Sequence, residues 1–324
     1  MQDLPAFPGV PGLERWTPPD FSDLEAVARA LDEACADAAP AGPLRVLGEG
    51  FFSVAVVTAS GMVFRLGTSP DVFARYQKEW RVLPWLASKG LPLEIPRPRW
   101  LLEPTSAFPF GGIGSPLIEG RTLTEADVAG PHRGRFAEQI AAFNLALHRL
   151  PIEEAVALGV PDGLERDRHW NANDRATVLV ALVDVLPSDE FEVVTRWWVD
   201  AQRHVDFDGF MPAFVHNDIN GENLVVDDAG TRVVAVIDFE HCSVGDVLHD
   251  FRNLQYLGRD FCLETVAAYE RLGGRVYEGF SERLEWDWQR GAFPSIRRAW
   301  QRGDAIDANE VRARLRRHGV LPSE

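Results

Sequence analysis

Two short apolar runs rich in β-branched residues, separated by an acidic turn, constrain the fold of this chain more than any other stretch. The turn reads Asp-Asp-Ala-Gly, and the first run, the turn and the second run are residues 223–226, 227–230 and 233–237. Apolar runs on either side of an Asp/Gly turn are typical of a β-hairpin. The chain is therefore predicted to fold around an antiparallel hairpin in its second half.

Acidic and amide side chains bracket this hairpin. Asp218 precedes it in His216-Asn217-Asp218, Asn223 follows Asp218 by five residues, and Asp238 comes directly after the second run. The order resembles the protein-kinase signature. Carboxylate and amide oxygens suit Mg²⁺, and an Asp can accept the proton of an incoming hydroxyl. We interpret the stretch as a phosphoryl-transfer centre with Asp218 as base and Asn223 and Asp238 as Mg²⁺ ligands; an acidic hairpin with solvated turns is the alternative.

Residues 44–66 alternate between apolar and polar side chains, which predicts three strands. Gly48 and Gly50 fall in the first turn, where small residues let backbone N–H groups approach phosphate oxygens. Kinase loops carry a third glycine where this chain has Ser53. The Gly48-Glu49-Gly50 motif predicts a phosphate-binding loop, with a plain hairpin turn as an equal alternative.

Arg65 is the cation on the third predicted strand, at the place where kinases carry a lysine. The only two lysines of the chain, Lys78 and Lys89, lie elsewhere. Arginine stays charged and can bind phosphate with its planar guanidinium, so Arg65 is expected to contact the nucleotide unless it simply faces outward. Glu79 is the acid expected to pair with Arg65, although a solvated glutamate is the alternative; its helix is predicted from Asp71 to Leu83.

Helix boundaries follow from caps and prolines. Ser22-Asp23-Leu24-Glu25 has the pattern of a capping box, which predicts a helix that begins at Ser22 and ends near Pro40. Pro84 is expected to kink or end the helix that contains Glu79. Leu117, Ile118 and Glu119 follow a glycine-rich stretch, where a kinase chain crosses between its lobes.

Composition limits the partners and the compartment. The formal net charge is −16, which disfavours nucleic acid and anionic membranes because both require a basic surface. The sequence has no long apolar run and no apolar leader, and its three cysteines lack metal or disulfide spacing. We expect a cytoplasmic protein without a membrane or nucleic-acid partner; its oligomeric state is left open.

Together these motifs resemble the aminoglycoside phosphotransferase and choline kinase superfamily. The resemblance rests on the stretch from His216 to Asn223, on Ile237-Asp238-Phe239-Glu240, and on Gly245-Asp246 with Asp250. It implies an α+β, protein-kinase-like, two-lobed fold, with an antiparallel N-lobe sheet plus a helix and a larger, mainly helical C-lobe that carries the catalytic hairpin. The expected domains are an N-terminal arm and helix (residues 1–43), a nucleotide-binding N-lobe (44–118) and a C-lobe that carries the catalytic and acceptor-binding residues (119–324).

The resemblance also implies roles for these positions. Asp218 is expected to be the catalytic base, and the backbone at Leu117, Ile118 and Glu119 would face the adenine ring. The phosphate-binding set would be Gly48, Gly50, Ser53 and Arg65, supported by Glu79; the metal ligands would be Asn223 and Asp238. Asp246 and Asp250 are expected to brace the catalytic loop.

The predicted activity is Mg²⁺-dependent transfer of the γ-phosphoryl of ATP or GTP to a hydroxyl of a small, cationic acceptor, with an aminoglycoside or other antibiotic favoured. Acidic residues that could line an acceptor pocket are Glu240, Asp246, Glu282, Glu285 and Asp287. A choline-type or other metabolic kinase is the alternative, with Trp286 and Trp288 as an aromatic cage. A nucleotide-binding pseudokinase that acts as an interaction module is the alternative from another class.

Overall fold

The structure is a computed structural model that describes residues 17–35, 43–50 and 52–322. The predicted N-terminal arm, residues 1–20, therefore lies outside the described residues except for its last positions. Within the described residues, no helix is both long and apolar enough to cross a membrane.

A five-stranded antiparallel sheet forms the N-terminal part of the fold, as the sequence predicted. Its spatial order is β1-β2-β3-β5-β4. The strands are β1 Arg45–Glu49, β2 Ser53–Val57, β3 Met62–Gly67, β4 Trp100–Leu102 and β5 Gly112–Pro116. Phe64 and Leu66 are buried on one face of β3, so the alternating Val63 and Arg65 lie on the other. This alternation places Arg65 on the face opposite the core formed with α1 (Leu24–Ala34).

Three helix boundaries differ from the sequence predictions. The first helix, α1, ends at Ala34 rather than near Pro40. The side chain of Asp23, rather than Ser22, caps α1 by accepting a hydrogen bond from the Ala26 N–H. The second helix, α2, spans Val72–Ala87 and continues through Pro84, which was expected to kink or end it. Pro84 lies one turn before the end of α2, so its missing N–H costs a single hydrogen bond in the last turn.

The rest of the chain is mainly helical and carries the predicted hairpin. The hairpin strands are β8 Leu224–Val226 and β9 Val233–Val236, and β6 (Arg121–Thr122) pairs with β8 to give the order β6-β8-β9. A separate pair joins β7 (Ala213–Val215) to β10 (Ser243–Gly245). The helices are α3 Glu125–Val128, α4 Arg133–His148, α5 Ile152–Ala157, α6 Gly163–Leu182, α7 Ser188–Val205, α8 Arg259–Arg271, α9 Phe280–Arg290, α10 Pro294–Arg302 and α11 Ala308–Arg317.

The chain divides into two compact units. One comprises Pro18–Asp162 and Phe210–Glu278, and contains all of the strands. The other comprises Gly163–Gly209 and Gly279–Glu324, and its helices α6, α7, α10 and α11 enclose a hydrophobic core of their own around Trp198 and Phe293. The predicted boundary at residue 118 lies inside the first unit and stays a prediction.

Candidate active site

The loop between β7 and the 3₁₀ helix Gly221–Asn223 carries the predicted catalytic residue. His216 is buried and its ring bridges the loop: Nδ1 accepts from the Asp218 N–H at 3.2 Å and Nε2 donates to the Ile237 carbonyl at 3.1 Å. Burial lowers the pKa of His216, so the neutral ring is favoured. Asn217 adopts a left-handed φ of 74°, a conformation that Asn tolerates better than most residues.

Three amides surround the Asp218 carboxylate. The side-chain nitrogens of Asn220 and Asn253 donate to Oδ1 at 3.0 and 2.7 Å, and that of Asn223 donates to Oδ2 at 3.0 Å. Each bond stabilises the ionised carboxylate and fixes its orientation. Burial, and secondarily the nearby charge of Asp238, nevertheless raises the pKa of Asp218 to about 6. A carboxylate with that pKa is mostly ionised at neutral pH and suits a general base.

Asp250 holds this loop in place through hydrogen bonds to its backbone. Its buried carboxylate accepts from the backbone N–H of Asn217 at 2.7 Å and of His216 at 3.1 Å. It also bonds to His148 Nε2 at 3.1 Å, while His148 Nδ1 bonds to the Tyr269 hydroxyl at 2.9 Å. Helices α4 and α8 are thereby connected to the catalytic loop through one carboxylate.

The hairpin brings the two predicted metal ligands to its open end. Leu224 pairs with Val236, and the Ile237 N–H donates to the Asn223 carbonyl at 2.9 Å, so the next residues on the two strands also face each other. Asp238 follows immediately, with a left-handed φ of 66° that turns the chain away from the strand. The non-glycine left-handed residues in the described chain are Asn217 and Asp238, and both lie in this site.

Asn223 and Asp238 fit a Mg²⁺ ion by the chemistry of their donor atoms. The Asn223 side-chain nitrogen is committed to Asp218, which leaves its carbonyl oxygen as the metal-binding end of the amide. Among the described residues, no cluster of three or more His, Cys, Asp or Glu side chains could hold a metal. Mg²⁺ keeps several waters and takes only one or two carboxylates, so a two-residue oxygen site suits it.

The structure brings Arg65, Glu79 and Asp238 together. The Arg65 guanidinium contacts both carboxylates, one through each terminal nitrogen, and lies 5.4 Å from the centre of the Tyr76 ring. Burial would lower the pKa of Arg65, but Glu79 and Asp238 raise it above its ordinary value. Burial raises the pKa of Glu79, against the opposing charge of Arg65. Arg65 therefore links the N-terminal sheet, α2 and the end of the hairpin.

Lys78 is a residue that the sequence reasoning missed. It is buried on α2, and its ammonium donates to the backbone carbonyls of Glu240 and Cys242, both at 2.8 Å. These carbonyls belong to the segment that directly follows Asp238. The sequence carries no signal for it, because Lys78 lies between Gln77 and Glu79 and its partners are backbone atoms that no motif reveals.

The prediction that Gly48-Glu49-Gly50 forms a turn is wrong for its first two residues, because Gly48 and Glu49 lie in β1 and pair with β2. The Gly50 N–H donates to the Ser53 carbonyl at 2.8 Å. A Cβ atom added at Gly48 would meet no atom within 4 Å, so the fold itself does not require glycine there. A phosphate contact at Gly48 and Gly50 stays a prediction. Beyond the turn, Phe52 packs under the Arg75 guanidinium, 3.9 Å from the ring centre.

The predicted hinge lies between β5 and β6. The Leu117 N–H donates to the Gly61 carbonyl at 2.8 Å, and the Leu117 side chain is 38% exposed. Ile118 is partly buried and Glu119 exposed. The structure thus places these residues on a surface-accessible connection, and their contact with an adenine ring stays a prediction.

The acids proposed for acceptor binding do not form one group. Glu240 is buried and lies 3.4 Å from Arg75 and 3.1 Å from His241. Asp246 is also buried, and it accepts from the Tyr277 hydroxyl at 2.7 Å and from the Leu248 N–H. Both carboxylates are committed within the protein, which corrects the expectation that they face an acceptor pocket.

The remaining acceptor candidates lie on α9, in the other compact unit. Asp287 is buried there, whereas Glu282 is exposed and Glu285 is partly buried. The Trp286 ring stacks on Trp197 and on His204, with centroids 5.9 and 5.1 Å away. Trp288 packs against His318. Both tryptophans are therefore engaged in packing within their own unit.

Comparison with known proteins agrees with this geometry. The model of the APH family, described as the phosphotransferase enzyme family, matches residues 43–294. No curated protein matches the chain significantly. The GDP complex of wild-type aminoglycoside 2'-phosphotransferase-IIIa has a TM-score of 0.74 at 20% identity, over 91% of this chain and 98% of that chain.

Two further solved structures show the same fold. The gentamicin complex of APH(2")-IIa has a TM-score of 0.68 at 18% identity, over 92% of this chain and 96% of that one. Macrolide 2'-phosphotransferase type I has a TM-score of 0.65 at 24% identity, over 93% and 99% of the two chains. The predicted kinase-like fold and the predicted superfamily are thus confirmed. This chain belongs to the APH family of phosphotransferase enzymes.

Proposed function

We propose that this protein transfers the γ-phosphoryl group of ATP or GTP to a hydroxyl of a small molecule, with Mg²⁺ as the cofactor. The observation that carries the proposal is the Asp218 carboxylate, oriented by three amides beside the hairpin end that holds Asn223 and Asp238. A base and a hard-oxygen metal site are the two features that in-line phosphoryl transfer requires. Solved structures with this fold contain GDP, ADP or ATP.

Each residue then has a defined task. Asp218 orients the acceptor hydroxyl and receives its proton as the new O–P bond forms. Asn223 and Asp238 would hold Mg²⁺, which neutralises phosphate charge when it is bound. Arg65, which contacts Glu79 and Asp238, would present its guanidinium to nucleotide phosphates, with Glu79 keeping it extended.

For the acceptor we propose a cationic antibiotic such as an aminoglycoside. The net charge of −16 favours a cationic ligand, and solved structures of this fold include gentamicin and streptomycin complexes. An aromatic cage for a quaternary ammonium is disfavoured, because the Trp286 ring already stacks on Trp197 and His204.

The test is an ADP- or GDP-release assay over a panel of aminoglycosides, macrolides, choline and sugars. We expect turnover with at least one aminoglycoside. Asp218→Asn should lower kcat by roughly 10²-fold or more, since general bases contribute about 10²–10⁴. The matched control is Asp228→Asn, because Asp228 is an exposed carboxylate in the turn of the same hairpin. Near-normal turnover by Asp218→Asn would remove Asp218 from the role of base.

The metal assignment has its own measurement. Asp238→Ala should abolish the Mg²⁺-dependent part of nucleotide binding in a calorimetric titration, because the variant removes the carboxylate that the metal requires. An unaltered titration would refute the assignment. A wild-type protein that binds nucleotide but transfers phosphate to no acceptor, water included, would instead favour a nucleotide-binding interaction module.

A further inference from the structure

Asn253 reaches Asp218 from a distant part of the sequence. It lies on the 3₁₀ helix Arg252–Leu257, 35 residues after Asp218, and its side-chain nitrogen donates to Asp218 Oδ1 at 2.7 Å. That is the shortest of the three amide bonds to this carboxylate. The preceding residue, Arg252, donates to the Asn217 carbonyl at 3.4 Å. Two consecutive side chains of this helix thus bind the catalytic loop.

The three amides are unevenly divided between the two carboxylate oxygens. Within the described parts of the chain, Oδ1 accepts from Asn220 and Asn253, whereas Oδ2 accepts from Asn223 alone. A carboxylate oxygen has two lone pairs, so Oδ1 is fully used and Oδ2 keeps one lone pair. A hydroxyl proton can therefore be received only at Oδ2.

The amide of Asn253 differs from the other two in its range of contacts. Asn220 and Asn223 also donate to the Asp218 backbone carbonyl, and Asn220 Oδ1 caps the short 3₁₀ helix that follows. Replacing either would disturb the loop as a whole. The side-chain nitrogen of Asn253 donates to the carboxylate itself, and the residue is only partly buried, so its replacement should leave the fold intact.

We propose that Asn253 is a positioning residue that occupies Asp218 Oδ1 and so makes Oδ2 the oxygen that accepts the proton of the acceptor hydroxyl. This inference rests on the proposed function of Asp218 as a base. In the transfer step, the hydroxyl oxygen bonds to the γ-phosphorus, the bond to the nucleotide diphosphate breaks, and the hydroxyl proton passes to Oδ2. Without Asn253, the carboxylate could rotate and direct either oxygen at the acceptor.

The test compares Asn253→Ala with Asn253→Asp. Asn253→Ala removes the donor and should lower kcat roughly 10- to 100-fold, since loss of orientation is costly, while the nucleotide KM changes by less than about threefold. Asn253→Asp has the same shape but places an acceptor against Oδ1, so its kcat should fall further than that of Asn253→Ala. Asn309→Asp, at an exposed position of α11, controls for the added negative charge.

A space-filling role predicts the opposite order, because Asn253→Asp preserves the volume that Asn253→Ala removes. The inference is overturned if Asn253→Asp retains the wild-type kcat, or if its kcat exceeds that of Asn253→Ala. Nucleotide hydrolysis, with water as the acceptor, gives a second reading that needs no antibiotic. If wild type shows neither transfer nor hydrolysis, the proposed function fails; if wild type turns over and both variants match it, only the role of Asn253 fails.

Discussion

Asp250→Asn tests whether the catalytic loop depends on a single buried carboxylate. Asp250 Oδ1 accepts from the Asn217 N–H at 2.7 Å, and Oδ2 lies 3.1 Å from both the His216 nitrogen and His148 Nε2. An Asn side chain has one oxygen and one NH₂ group. Whichever way the amide is turned, at least one of these donors faces another donor.

The less costly orientation keeps the amide oxygen at the position of Oδ2 and leaves the Asn217 N–H without an acceptor. Hydrogen bonds to charged groups contribute about 1.5–3 kcal/mol, and a buried donor without a partner costs about 1–3 kcal/mol. We therefore expect a local loss of about 2–4 kcal/mol, which corresponds to roughly 30- to 1000-fold in the local opening equilibrium. Asn217 has a left-handed φ of 74°, so its relaxation should also displace Asp218.

Hydrogen exchange suits this measurement, because it reports local opening in a chain that has two compact units. Hydrogen-exchange protection of a peptide that covers residues 213–220 should fall by roughly 30- to 1000-fold. The kcat should fall roughly 10²-fold, with an unchanged nucleotide KM. The control is Asp174→Asn, a buried carboxylate of the other unit that pairs with Arg290 and Arg297. Unchanged protection with kcat within threefold of wild type would refute the reasoning.

Three other outcomes follow from the site. Arg65→Ala should raise the nucleotide KM at least about tenfold because it removes the positive charge that faces the phosphates. Arg65→Lys keeps that charge and should raise the KM by less. An unchanged KM for Arg65→Ala would contradict the phosphate role. Lys78→Met should weaken the binding of Mg²⁺-nucleotide measured by calorimetry, because it removes the hydrogen bonds to the carbonyls of Glu240 and Cys242, which follow the metal-binding aspartate. An unaltered affinity would show that Lys78 does not support the metal-binding segment. The pKa of about 6 at Asp218 means that the base becomes protonated as the pH falls, so kcat/KM should drop about fivefold between pH 6 and pH 5. A flat profile over this interval would exclude Asp218 as the titrating base.

Features set by neighbouring residues could be predicted from the sequence. The β8–β9 hairpin and the first three strands were confirmed because alternation and turn residues act over a few positions. Boundaries were less accurate for a physical reason. Asp23 competes with Ser22 for the same cap, and Pro84 near a helix end removes only one hydrogen bond.

Contacts between distant residues could not be predicted in the same way. Asn253 binds Asp218 across 35 residues, and Lys78 binds the carbonyl of Glu240 across 162. Neither partner has a local pattern, since an amide on a short helix and a backbone carbonyl are common everywhere. Glu240 is a case in which the sequence predicted a role that the fold does not support. Its place beside the metal-binding aspartate suggested a carboxylate that is available to bind the acceptor, but in the fold it lies within reach of Arg75.

The two halves of the site are held in place by different parts of the first unit. Asp250 and Asn253 fix the loop that carries Asp218, whereas Lys78 on α2 fixes the segment after Asp238. The first set should therefore govern turnover and the second should govern binding of the metal and nucleotide. The two halves are also bonded to each other, because the Asn217 side-chain nitrogen donates to the His241 carbonyl at 2.9 Å, between the two carbonyls that Lys78 binds. The effects of Lys78→Met and Asp250→Asn should therefore depart from additivity in free energy when the two are combined. Such a departure would mean that the loop and the metal-binding segment move as one element, so that binding of nucleotide would itself position the base. Additive free energies would contradict this coupling.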